Sequence, residues 1–105
     1  MITKETIIQV LNEIKKEIGI DFINLNGVFV DLKGNKAEFF FKIELNDIDS
    51  ISILKYENSN YIGISHNKGI FSFNSNKIPI YDLNLSKLKS KIKRMIMEIQ
   101  LGGNI

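Results

Sequence analysis

Residues 20–44, IDFINLNGVFVDLKGNKAEFFFKIE, alternate apolar and polar side chains around two turn signals. The first is Asn26-Gly27, because Asn-Gly is favoured in two-residue β-hairpin turns. The second is centred on Gly34-Asn35, where glycine and asparagine again permit a tight turn. Hairpin registers drawn independently from the two turns place the same apolar residues on the same face. That agreement predicts a three-stranded antiparallel meander, and it is the pattern that decides the fold.

The predicted register divides this stretch into two faces. The apolar face, on which we expect the helices to pack, holds Ile23, Leu25, Val28, Val30, Phe39, Phe41 and Ile43. The more polar face holds Phe22, Asn24, Phe29, Asp31, Lys33, Lys36, Glu38, Phe40, Lys42 and Glu44.

An aromatic cluster occupies the centre of the predicted polar face. Phe29 lies directly opposite Phe40 in this register, Phe22 lies nearby, and charged side chains such as Lys42 surround the rings. An aromatic centre with a polar rim is typical of a protein-binding surface. Three interpretations stay open for these rings: burial in a second small core, a homodimer interface, and contact with a different protein.

The same register places Asp31 opposite Glu38. Paired carboxylates can divide the roles of acid and base when burial separates their pKa values. Lys33 and Lys36 flank this pair diagonally, which favours a salt-bridged surface over a catalytic site.

The rest of the chain predicts two amphipathic helices and further strands. Ile7, Val10, Leu11 and Ile14 follow helical spacing, with Thr3 as a candidate N-cap. The predicted class is α+β, with an antiparallel meander of five to six strands and both helices packed mainly on one face. We expect a single domain over 1–105, with helices at about 3–18 and 84–100 and strands at about 20–25, 28–32, 36–45, 51–56, 61–66 and 70–74.

The C-terminal helix is basic. From residue 85 onward the chain carries five positive charges and one negative charge, a net of +4. The cations are Lys87, Lys89, Lys91, Lys93 and Arg94. A helix of this kind can neutralise the phosphates of a nucleic acid or meet an acidic protein.

A solvated lysine face is the simpler interpretation of that helix. Specific nucleic-acid readers usually add several arginines or interleaved aromatic side chains, and this helix has one arginine and no aromatic residue. Met97 projects off the apolar stripe beside the lysines, which would suit a protein contact.

Composition sets the remaining expectations. The 105 residues include 20 Ile, 12 Asn and 13 Lys but one Arg and no Cys. This usage favours AT-rich codons, and so a low-GC bacterium, a phage or another mobile element. Thiol nucleophiles and thiolate metal sites are excluded. We find neither a signal-peptide h-region nor an apolar run long enough for a membrane span, so we expect a cytoplasmic protein without membrane partners.

Other chemistry-bearing residues are sparse. His66 is the only histidine, and it adjoins a predicted turn, which favours an ordinary turn-flanking side chain. Residues 44–49, ELNDID, hold three carboxylates but lack the ligand spacing of a calcium loop, and we expect Asp47 and Asp49 in a solvated turn. The sequence therefore predicts no enzyme, no metal site and no cofactor.

The function predicted from the sequence is a small non-catalytic protein-binding module, such as an inhibitor, immunity factor, adaptor or chaperone. Its candidate contact residues are Phe22, Phe29, Phe40, Lys42 and Met97. The alternative from another class is a nucleic-acid-binding protein that uses the basic helix.

Overall fold

A computed structural model describes residues 2–19, 21, 23–27, 30–80 and 84–102, and at 23–26, 72–74 and 102 it describes the backbone alone. The elements in chain order are α1 (Lys4–Ile18), β1 (Ile23–Asn26), β2 (Ala37–Glu44), β3 (Asp49–Tyr56), β4 (Tyr61–Lys68), β5 (Phe71–Pro79) and α2 (Leu85–Gly102). The predicted α+β class is thus confirmed, with one antiparallel sheet, an N-terminal helix and a C-terminal helix. The chain divides into a helical unit, which contains both helices, and a sheet unit at 22–82.

Helix α1 begins and ends at residues that satisfy its terminal backbone groups. The Thr3 hydroxyl accepts a hydrogen bond from the Thr6 N–H, and the Thr6 hydroxyl accepts one from the Thr3 N–H, which forms a reciprocal cap. Gly19 ends the helix at φ 65°, a left-handed conformation that glycine adopts without steric cost. The buried stripe consists of Ile7, Val10, Leu11 and Ile14.

Helix α2 is capped by Asn84. Its side-chain oxygen accepts a hydrogen bond from the Lys87 N–H at 2.8 Å, and its carbonyl accepts one from the Leu88 N–H. The buried positions are spaced three or four apart, as one face of a helix requires, and they are Leu88, Ile92, Ile96 and Ile99.

The sheet has the order β1-β2-β3-β4-β5, and every neighbouring pair is antiparallel. Burial alternates along the three central strands because successive side chains point to opposite faces. The buried apolar side chains of these strands lie on one face, and they are Phe39, Phe41, Ile43, Ile51, Ile53, Ile62 and Ile64.

The predicted register of the first hairpin is wrong. Asn26 pairs with Phe41 and the Gly27 N–H donates to the Phe40 carbonyl, so the chain continues along β2 instead of turning at Asn26-Gly27. Of the predicted strand at 28–32, Val30 forms an isolated bridge with Lys36. Val28 lies outside the described residues.

Asp31 supplies the physical reason for this difference. Its carboxylate accepts hydrogen bonds from the backbone N–H groups of Lys33 and Asn35, both at 2.9 Å, and one from the Asn35 side chain. These bonds fix the turn that joins Val30 to its bridge partner Lys36. The sheet has four strands of eight or nine residues, β2 to β5, beside the four-residue β1. When the short β1 is left out of the count, the sheet has four strands and not the predicted five to six.

The last hairpin is longer than predicted. Lys68 pairs with Phe71 across a two-residue turn in which Gly69 has φ 62°. Strand β5 runs to Pro79, five residues beyond the predicted end at about residue 74. Proline is tolerated here because β5 pairs with β4 alone, and an edge strand does not need every N–H for a second neighbour.

Two isoleucines of this hairpin give a direct test of the observed register. Ile64 is fully buried, whereas Ile70 in the turn is 94% exposed. Ile64→Ala should lower the free energy of unfolding by about 2–5 kcal/mol through lost burial and a cavity. Ile70→Ala should change it by less than about 0.5 kcal/mol. Urea denaturation of both variants measures the difference, and equal losses would contradict the register.

Candidate functional site

The sheet face opposite the buried one forms the candidate site. Cross-strand pairing places Phe40 beside Leu54, Leu54 beside Gly63, and Gly63 beside Lys77. Directly paired residues of antiparallel strands share a face, so these four positions form one row across the sheet, here called the Gly63 row. Phe40 and Leu54 are half-buried and Lys77 is exposed.

A parallel row of hydroxyls runs beside the Gly63 row. Ser52 pairs with Ser65, and Ser65 pairs with Ser75; these three positions are here called the serine row. Ser52 Oγ accepts a hydrogen bond from the Asn67 side chain at 2.7 Å. On the other side of the Gly63 row lie Tyr56, which is half-buried, and Tyr61, which is 46% exposed. Aromatic rings and hydroxyls therefore border the same strip of sheet. The two rows and these tyrosines together are here called the half-exposed face.

A depression of about 250 Å³ lies in the half-exposed face, with Gly63 among its lining residues. Aromatic and aliphatic side chains line it together with serine hydroxyls and one charged group. The lining residues are Phe40, Ser52, Leu54, Tyr56, Ser59, Tyr61, Gly63, Ser65, Ser75, Asn76 and Lys77. This set, the Gly63 depression, combines apolar contact area with hydrogen-bond donors and a cation.

The sequence identified part of this surface. Phe40 and Lys42 both lie on the half-exposed face, and Lys42 forms an ion pair with Glu44 at 3.8 Å. Phe22 and Phe29 lie outside the described residues, so their pairing with Phe40 stays a prediction. Met97 lies on α2 with 45% of its surface exposed.

The predicted pairing of Asp31 with Glu38 is wrong. Asp31 accepts hydrogen bonds within its own turn, and those bonds from Asn35 hold the pKa of its carboxyl below the usual value. Glu38 forms an ion pair with Lys55 of β3 instead. The Lys55 ammonium also donates to the Tyr56 carbonyl at 3.1 Å, so the charged end of this largely buried residue has both an ion-pair and a hydrogen-bond partner.

The basic helix carries two kinds of cation. Lys89 lies 2.6 Å from the Glu17 carboxylate and 3.7 Å from that of Glu13, and Lys93 lies 3.9 Å from Glu17. The hydrogen bond from Lys89 lowers the pKa of Glu17, and the same bond raises the pKa of Lys89. Two of the five cations therefore pair with carboxylates of α1.

The other three cations, Lys87, Lys91 and Arg94, lie together on α2. They line a shallow surface with three polar residues, Asn84, Ser86 and Ser90, and the described lining of this surface includes no carboxylate. Within the described part of the chain, no ion pair involves these three cations. The helix thus presents three cations that no described residue neutralises, here called the unpaired cations.

His66 takes part in an interaction that the sequence analysis missed. It lies within β4 and not beside a turn, and its Nε2 is 2.8 Å from Asp49 Oδ1, with both side chains 17% exposed. Asn46 donates to the other Asp49 oxygen at 3.1 Å, while its own oxygen accepts the N–H groups of Ile48 and Asp49. Asp49 therefore begins β3 in a bonded turn and not in a solvated one.

The Asp49–His66 pair is better placed to stabilise the fold than to activate a nucleophile. His66 pairs with Ile51 on the buried face, whereas Ser52 and Ser65 project from the half-exposed face, so the register does not assemble these serines with the pair. The part of the chain that the structure describes has no group of three potential metal ligands. Neither helix, over its described length, is long and apolar enough to cross a membrane.

Comparisons with protein-family models, curated proteins and solved structures give no match to this chain.

The Asp49–His66 pair makes stability depend on pH. Hydrogen bonds from His66 and then Asn46 hold the pKa of Asp49 below its usual 3.8. The ionised form therefore stabilises the fold fully above that usual value, and the contribution disappears as pH falls through the lowered pKa. Asp49→Asn should lower the free energy of unfolding most at neutral pH, and the difference from wild type should shrink towards about pH 2.

Denaturation curves between about pH 7 and about pH 2 measure this convergence. Asp47→Asn is the matched control, because Asp47 lies in the same turn and is exposed. Its curve should run parallel to that of the wild type. A difference between Asp49→Asn and wild type that stays constant with pH would contradict the assignment.

Proposed function

We propose that this chain is a small non-catalytic protein-binding module, such as an inhibitor, immunity factor, adaptor or chaperone, and that it binds through the half-exposed face. The observation that carries the proposal is the strip of apolar side chains on this face, Phe40, Leu54, Tyr56 and Tyr61, beside a row of serine hydroxyls. Protein interfaces commonly join an apolar, aromatic centre to a polar rim in this way.

The energetics of this strip favour a macromolecular contact. An aromatic side chain can bury about 150–250 Å² in total, and Tyr61 keeps nearly half of its surface exposed. Covering that half would contribute about 2 kcal/mol at roughly 25 cal/mol per Å². Tyrosine is also among the residues most often found at the energetic centres of interfaces. Several half-buried neighbours extend the same contact over three strands.

Further parts of the proposal rest on the sequence. We propose the cytoplasm as the compartment and a phage or another mobile element of a low-GC bacterium as the origin. Phe22, Phe29 and Met97 stay candidate contact residues beside Phe40 and Lys42. A second copy of the chain is the alternative occupant of the face, since an aromatic surface also suits a homodimer.

Substitution of Tyr61 tests the protein-binding proposal. Tyr61→Glu places a charge in the apolar strip and should abolish capture of the partner by the tagged protein from a lysate of the source organism. Because Tyr61 is half exposed, the melting temperature should change little. Quantitative mass spectrometry of the captured proteins measures the loss, and circular dichroism checks the fold.

The matched control is Ile70→Glu, which places the same charge at an exposed apolar residue in the β4–β5 turn. This variant should capture the same partner as the wild type. If folded Tyr61→Glu and wild type retain identical proteins in equal amounts, the half-exposed face is not the binding surface.

Nucleic-acid binding by α2 is a second candidate, favoured by the unpaired cations. Lys87, Lys91 and Arg94 lie beside Ser86 and Ser90 on one surface. Arginine, lysine and serine side chains are common donors to phosphate oxygens. Neutralisation of phosphates releases counterions, so such binding would weaken steeply as the salt concentration rises.

Paired substitutions distinguish the two kinds of cation. Lys91→Gln with Arg94→Gln should weaken binding to labelled single- or double-stranded DNA and lower the salt slope by about two, one for each lost phosphate contact. Lys89→Gln with Lys93→Gln removes the same amount of positive charge, but from side chains that pair with Glu17. This double variant should keep a DNA affinity within roughly twofold of the wild-type value. Fluorescence anisotropy at about 50 and about 200 mM salt measures both. Equal effects of the two pairs, or no binding at the lower salt, would refute this candidate.

A further inference from the structure

We propose that the Gly63 depression binds a single aromatic side chain of the partner, with a carboxylate beside that side chain held by Lys77. This inference rests on the proposed function and names the chemistry that its surface recognises.

The volume limits what can bind. Pockets for small molecules and cofactors usually enclose about 300–1,000 Å³, and the Gly63 depression has about 250 Å³. It is therefore too small for a typical nucleotide or cofactor, and its volume suits one large side chain. Seating of a single aromatic side chain in a shallow pocket is a common way for interfaces to gain affinity.

Gly63 keeps the depression open. Its backbone does not adopt the left-handed conformation that favours glycine, and a Cβ built there would meet only the Leu54 carbonyl oxygen, at 3.7 Å. A Cβ therefore fits at this position without strain, and a side chain that continued from it would extend into the space between Leu54 and Lys77. Glycine weakens a strand interior and often marks a place where a ligand or another chain approaches closely. Neither the backbone conformation nor crowding requires glycine at this position, so the space left by the missing side chain points to an occupant from outside the sheet.

The walls define the chemistry of that occupant. Tyr61, which is 46% exposed, offers aromatic surface on one side, where a ring would find offset or edge contacts, and Phe40 lies at the β2 end of the Gly63 row. Ser52 and Ser65 lie on the other side; the Ser52 hydroxyl accepts from Asn67 and still carries a proton to donate. Among the lining residues that the structure describes, Lys77 is the charged one, and it is exposed. The Ser65 hydroxyl donates to the Asn67 side-chain oxygen at 3.5 Å, so the groups left for an occupant are the Tyr61 ring, the Ser52 proton and the Lys77 ammonium, which a ring with a nearby carboxylate matches.

Three small probes separate the contributions. N-acetyl-phenylalanine carries a ring and a carboxylate, its amide carries the ring alone, and acetate carries the charge alone. Titration of the ¹⁵N-labelled full chain, followed by NMR, reports binding through the backbone amides of Ser52, Gly63, Ser65 and Lys77. We expect saturable shifts at these residues with N-acetyl-phenylalanine, weaker binding of the amide by roughly two- to fivefold, and no saturable shift with acetate.

Two substitutions locate the site. Gly63→Val fills the floor of the depression and should lower the affinity for N-acetyl-phenylalanine at least tenfold. The β-branched side chain should keep or raise the melting temperature, because valine favours a strand more than glycine does. Gly63→Ala serves the same purpose if the valine variant does not fold. Lys77→Gln should reduce the affinity of the acid to that of the amide, whereas Lys33→Gln, at an exposed position in the 31–35 turn, should not.

Saturable binding that persists in folded Gly63→Val, or an absence of saturable shifts with N-acetyl-phenylalanine, overturns this inference. Equal affinity of the acid and the amide overturns the role of Lys77. None of these results decides the broader proposal, because a partner could cover the half-exposed face without placing a ring in the depression. Loss of capture on Tyr61→Glu together with an empty depression would retain the protein-binding function and reject its aromatic anchor.

Discussion

The cross-strand register of β2, β3 and β4 is the constraint on which the rest of the structure depends. It places Phe41 beside Ile53 and Ile53 beside Ile64 on the buried face, and thereby assigns the alternate residues to the other face. A slip of one residue would exchange the two faces, because side chains alternate with a period of two. The large apolar area buried by this register makes such a slip costly. The half-exposed face and its depression are consequences of the same pairing.

Local sequence signals identified much of the fold. The stripe from Ile7 to Ile14 and the Thr3 and Gly19 caps specify α1 within a single segment, so no distant contact is needed to read them. The alternation of Phe39, Phe41 and Ile43 likewise specifies the buried face of β2. The prediction of the first hairpin was wrong because Asn26-Gly27 has the sequence of a hairpin turn but does not form one. The actual turn is fixed by the Asp31 carboxylate, which accepts hydrogen bonds from backbone groups up to four residues away.

The candidate site was only partly predictable, for a reason of geometry. Phe40 could be assigned from the alternation of β2 alone. Leu54, Tyr61 and Gly63 belong to strands with apolar residues on both faces, so their side of the sheet depends on pairing that a sequence does not display. The Asp49–His66 contact has the same origin, since 17 residues separate its partners and only the β3–β4 register brings them together. On α2, helical periodicity predicted which face each lysine occupies. The pairing of Lys89 and Lys93 with carboxylates of α1 was not predictable, because it depends on contact between the two helices.

Site-specific photocrosslinking tests the central claim, that the half-exposed face contacts a protein. With p-benzoylphenylalanine introduced at position 75, in the exposed part of the serine row, irradiation in the source organism should give a covalent adduct with one protein. The same group at position 94 on α2 should give no such adduct. An absence of adducts from position 75, together with adducts from position 94 to protein or nucleic acid, would contradict the account and assign binding to the basic helix.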